Sequence, residues 1–71
     1  MAESVYAVSE IVGTSTESWE RAAANAVETA SKSLRDLRVA EVVQLDMTIE
    51  DGVVSTYRAR VKVSFKYESR G

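Results

Sequence analysis

The carboxylates Glu41, Asp46, Glu50 and Asp51 and the cations Arg58, Arg60 and Lys62 hold most of the chemistry open to this sequence. Neither His nor Cys occurs. Imidazole bases, thiolate nucleophiles and the usual zinc ligands are therefore excluded. Hard cations remain open, because calcium is held by several carboxylate and carbonyl oxygens at about 2.3 to 2.6 Å. No EF-hand loop is present, so Glu41 and Asp46 are candidate metal ligands on their chemistry alone. Within one chain such residues are more often solvated charges or partners of Arg58 and Arg60, and a subunit interface is what would gather further carboxylates around them. Thr14, Ser15 and Thr16 follow Gly13, where a helix N-terminus could hold an anion. Thr14-Ser15-Thr16-Glu17 is also a capping box, which accounts for these hydroxyls without a ligand. No glycine-rich phosphate loop occurs, and nothing assembles a base, a nucleophile and an oxyanion site in a recognisable order. No enzymatic activity is expected.

These residues need elements to position them. Val5 to Val12 is rich in β-branched residues and stops at the Gly13-Thr14-Ser15 cluster, which predicts a strand over about 4–12. Trp19, Ala23, Ala26, Val27, Ala30, Leu34 and Leu37 then recur at helical spacing, predicting a helix over about 15–36 whose small residues let it sit close to a sheet. From Val39 the period becomes two. Val43, Leu45, Met47 and Ile49 alternate with Gln44, Asp46, Thr48 and Glu50, a strand over about 39–50. After a turn at Glu50-Asp51-Gly52, Tyr57, Ala59, Val61, Val63, Phe65 and Tyr67 alternate with Arg58, Arg60, Lys62, Ser64 and Lys66, a strand over about 53–67.

Both apolar sets are odd-numbered, so a three-residue loop with left-handed Gly52 keeps them on one side, pairing Leu45 with Tyr57 and Gln44 with Arg58 unless a bulge shifts the register. Alternating chain direction then requires the last strand in the middle. The expectation is an α+β fold: a β-α-β-β subunit, with a three-stranded antiparallel sheet of order 1-3-2 packed on one helix. Arg58, Arg60, Lys62, Gln44 and Asp46 line the other face of that sheet. Aromatics and cations fall on opposite parities along the last strand, whereas a nucleic-acid platform needs both on one surface. No nucleic-acid partner is expected, and Trp19 reads as a packing residue.

A chain of 71 residues has room for one domain, spanning 1–71, and a fold this small buries only about 60% of the surface its unfolded chain exposes. Disulfides and zinc are absent as staples, which leaves association with further copies as the expected stabiliser. The long polar face, flanked by two sheet edges, points the same way. The formal charge of −2 recruits neither nucleic acid nor an anionic membrane. The N-terminal Met1-Ala2-Glu3-Ser4-Val5-Tyr6 carries no signal-like pattern, and no stretch reaches the roughly 18 apolar residues of a membrane span. A cytoplasmic protein is expected.

The opening strand into Ile11-Val12-Gly13-Thr14-Ser15, the single helix, Ala40-Glu41-Val42, Tyr57-Arg58 and Val61-Lys62-Val63-Ser64-Phe65 together resemble the dodecin family over essentially the whole chain. The resemblance implies a hollow homododecamer that binds and stores small ligands without transforming them. Flavin-binding members stack paired isoalloxazine rings between tryptophans and hold the ring edge with a glutamine. The tryptophan position corresponds to Val39 and the glutamine position to Arg58, with Gln44 completing the set matched to the flavin site. Valine has no π-face and forfeits on the order of 1 kcal/mol per aromatic pair. Ser18-Trp19-Glu20, Arg38-Val39-Ala40, Asp46-Met47 and Val63-Ser64-Phe65-Lys66 are closer to an actinobacterial branch of calcium-binding dodecins. Three readings follow: a dodecameric store of a small ligand or ion such as calcium with a weakened flavin site, a riboflavin or FMN store, or a structural oligomer without a ligand.

Overall fold

The computed structural model describes residues 4–67; residues 1–3 and 68–71, the two ends of the expected 1–71 unit, lie outside the described residues. Strand β1 (Tyr6–Ser15), helix α1 (Trp19–Ala30), strand β2 (Leu37–Glu50) and strand β3 (Val53–Lys66) follow in that order. Both β1 and β2 pair antiparallel with β3, giving the strand order β1-β3-β2. The expected α+β architecture and strand order hold.

The boundaries of the first two elements differ from expectation. Strand β1 does not stop at Gly13; Gly13, Thr14 and Ser15 continue the ladder against Ala59, Arg58 and Tyr57. Gly13 is required by close approach rather than by a turn, since a Cβ there would lie 2.1 Å from the Ala22 carbonyl oxygen and 2.9 Å from the Ala26 Cβ. With Thr14 in the sheet, the capping box gives way to another cap. Ser18 has extended backbone and its Oγ accepts from the Arg21 N–H at 2.9 Å, while Ser15 Oγ accepts from the Glu17 N–H at 2.9 Å. The helix ends at Ala30 rather than near 36, and the chain passes through turns to Asp36, whose φ is 57°. Leu34 and Leu37 still pack on the core, from the connection and the start of β2.

The hairpin loop is also shorter than expected. Glu50 pairs with Val53, leaving a two-residue loop of Asp51 (φ 53°) and Gly52 (φ 76°), the paired left-handed conformation of a type I′ turn. The register then shifts between Thr48↔Thr56 and Ile49↔Val54, so one extra β3 residue restores the parity that a three-residue loop would have given. Thr48 Oγ1 accepts from the Thr56 N–H at 3.1 Å, satisfying a backbone donor at this bulge. Leu45 consequently faces Ala59 instead of Tyr57, and Gln44 faces Arg60 instead of Arg58.

The core is built of small residues. Ala22, Ala26, Ala59, Val61 and Val63 form its buried cluster, with Ile11, Ala23, Val27, Leu34 and Leu37 packed around it. A 12-residue helix is only about 18 Å long, against about 46 Å for a 14-residue strand. It covers β1 and β3 and barely touches β2. Leu45 and Met47, on the helix side, therefore remain 49% and 42% exposed.

Candidate functional site

The polar face of the sheet is assembled by register. Along β3, Arg58, Arg60, Lys62, Ser64 and Lys66 alternate with the buried Ala59, Val61 and Val63, so they point away from the helix. Their β1 partners are Thr14, Val12, Glu10, Val8 and Tyr6. On β2 a second shift, between Val42↔Val61 and Gln44↔Arg60, makes Val43 the extra residue. Strict alternation from Leu45 would send Glu41 and Val39 toward the helix; the bulge instead sets them opposite Lys62 and Ser64, on the polar face with Gln44 and Asp46. Near Val39 a further register shift occurs, and Ser64 Oγ donates to the Val39 carbonyl oxygen at 3.3 Å.

Val39, Glu41, Gln44, Asp46 and Arg58 thus share one face, but they do not share one pocket within the chain. The partners of Val39 and Asp46 are six residues apart on β3, a span of about 20 Å. The partners of Glu41 and Asp46 are four apart, about 13 Å. No group of three or more acidic side chains suited to a metal ion forms among the described residues.

Charges on this face are matched across strands. Arg58 sits directly opposite Asp46 and holds its carboxylate with two N–H donors, Nε to Oδ1 at 2.7 Å and Nη2 to Oδ2 at 3.0 Å. Arg58 therefore holds the Asp46 carboxyl below its ordinary value of 3.8, chiefly through these hydrogen bonds; partial loss of water opposes the shift, and the fields of Arg58 and Arg60 add to it. Hydrogen bonding to Asp46 in turn raises the Arg58 pKa further, keeping the guanidinium charged. Arg60 makes a single bond to Glu10, Nη1 to Oε2 at 3.3 Å. Lys62 lies in register between Glu10 and Glu41. Glu10 is the member that pattern reading missed. Its shared parity with Val8 and Val12 was the available signal, once β1 is set against β3.

On the helix side, Trp19 ties the two layers together. Its Nε1–H donates to the Asp46 carbonyl oxygen at 2.9 Å, and its ring meets Tyr57 edge-on at 5.2 Å. With Glu20, Ala23, Val42 and Leu45 it lines an open groove of about 480 Å³. A larger cleft of about 630 Å³ lies between β1 and the helix, lined by Ile11, Thr14, Asn25, Thr29, Ser33, Leu34 and neighbours. Among the described residues no acidic or basic side chain lines that cleft. Tyr57 and Phe65 project toward the helix side, leaving Tyr6, opposite Lys66, as the aromatic at one end of the cationic face.

A short helix on three long strands, with a charge-matched outer face and an uncovered edge strand, defines a small β-α-β-β fold. The dodecin family model matches residues 5–68, and the chain belongs to the dodecin family. The calcium dodecin of Mycobacterium tuberculosis is 51% identical over 63 residues, covering 89% of each chain. Its crystal structure, described as that of a calcium-chelating immunodominant antigen with a novel calcium-binding site, superposes with a TM-score of 0.81 at 48% identity, covering 96% of this chain and 97% of that one. The dodecin of Streptomyces coelicolor superposes with a TM-score of 0.91 at 40% identity, covering 99% of this chain and all of that one.

Proposed function

We propose that this chain is a non-enzymatic subunit of a cytoplasmic homododecamer that binds calcium or a comparable small ligand, with weakened affinity for flavin. The observation that carries the flavin half of this reading is the row across the sheet at Val39. It consists of Val8, Ser64 and Val39 and offers no ring for stacking. Arg58, at the position matched to the family's glutamine, is already committed to Asp46. Gln44, opposite Arg60, keeps an amide on the same face.

Calcium is favoured by the named activity of the 51% identical relative and by Glu41, a carboxylate exposed on the outer face of an edge strand. The described residues of one chain supply too few converging oxygens, and the proposed site is one that copies of Glu41, with Asp46 as a second candidate ligand, complete at an interface. Calorimetric titration of the assembled protein with calcium tests this. Saturable heat that the Glu41→Gln variant loses is the expected result, and absence of heat from the unaltered protein would overturn it. Riboflavin or FMN should show no submicromolar fluorescence quenching in a parallel titration; quenching in that range would favour a flavin store instead.

A further inference from the structure

Arg58 and Arg60 are neighbours on one face, yet their guanidinium groups are not equally available. A guanidinium recognises a carboxylate or phosphate through a planar fork of parallel N–H donors. In Arg58 the Nε and Nη2 edge of that fork is filled by both oxygens of Asp46, at 2.7 and 3.0 Å. Arg60 gives Glu10 one longer bond, at 3.3 Å, and keeps its Nε edge out of that contact.

The Asp46 carboxylate is also unusually well placed for its task. It stands directly across the ladder from Arg58, and its own backbone carbonyl is fixed from the opposite side of the sheet by the Trp19 indole. Two anchors from two layers limit how far Asp46 can swing away.

We propose that Asp46 is a specificity-determining residue: it occupies the guanidinium fork of Arg58 and so withholds that cation from ligands bearing a carboxylate or phosphate at the outer sheet face. The proposal rests on the geometry of one chain and is separate from calcium binding through Glu41; it assigns both Asp46 oxygens to Arg58 rather than to a cation. Asp46→Asn keeps the size of the side chain and the carbonyl that Trp19 holds, but removes the charge. Titrated calorimetrically with inorganic phosphate at low ionic strength, the assembled Asp46→Asn protein should bind about tenfold more tightly than the unaltered one. Adding Arg58→Gln should abolish the gain. Equal affinity in Asp46→Asn and the unaltered protein would overturn the proposal, as would a gain that survives Arg58→Gln. A measurement needing no variant decides the same point: the Arg58 Nε–H resonance of the unaltered protein should stay fixed through a phosphate titration, and its movement would show the fork to be open.

Discussion

Asp46 meets three groups from three directions: Arg58 across the ladder, Trp19 through its backbone, and the field of Arg60 one row away. Its lowered pKa links the pair to stability. Because the folded state binds this proton less readily than the unfolded chain, the pair contributes above the ordinary value of 3.8, and the contribution is lost as pH falls through the depressed folded value. Both side chains are 38% exposed, so the effect is that of a screened surface pair. The unaltered protein and an Asp46→Asn, Arg58→Gln double variant should therefore differ in urea midpoint at neutral pH. That difference should shrink below pH 3.8, at fixed protein concentration. A difference that stays constant down to the acid limit would deny the linkage.

At the scale of elements, the helix rests on β1 through Gly13, Ala22 and Ala26 with no room for a further methyl group. Gly13→Ala places a Cβ against the backbone of α1, and the helix must withdraw from Val61 and Val63 to admit it. The expected cost is about 1 to 3 kcal/mol, read as a lower urea midpoint at matched concentration; an unchanged midpoint would mean the layers separate freely. Gly13 also shows what pattern reading could and could not recover. A glycine followed by Thr and Ser has the composition of a turn, while its real cause, an approaching helix, is a tertiary fact that no local window contains. The alternation of Tyr57 to Phe65 made β3 legible, and chain direction then put it in the centre. The bulge at Val43 was not legible, because Val42 and Val43 are the same residue type and either can face the core. Yet that bulge is what brings Val39 and Glu41 to the polar face. The hairpin hid itself differently: a two-residue loop plus a bulge preserves the same parity as a three-residue loop, so the faces came out right with the pairs displaced.

For the whole molecule, the dimensions 54 × 20 × 17 Å and a radius of gyration of 14.8 Å exceed the value of about 11 Å for a compact chain of this length. The excess is the long hairpin, part of whose apolar surface lies beyond the reach of the helix. Val42, Leu45, Met47, Ile49 and Val53 are all more than 40% exposed. Covering one leucine is worth about 1.5 to 3 kcal/mol, and a closed oligomer collects that from every copy. Leu45→Lys, placed beside Trp19 in the open groove, should shift the protein to smaller species in sedimentation velocity. A variant that sediments with the unaltered assembly would show that this face is not what joins the copies.

The sole tryptophan of the sequence sits where the helix meets the edge strand. Its indole N–H is bonded to β2 and its ring leans on Tyr57 of β3. Emission from this protein therefore comes from a single known position, without contributions from other indoles to average over. Anything that parts α1 from β2 breaks that bond and exposes the ring to water, and the emission colour changes with it. The fold thus carries a built-in optical gauge of its own least supported seam, readable without labels.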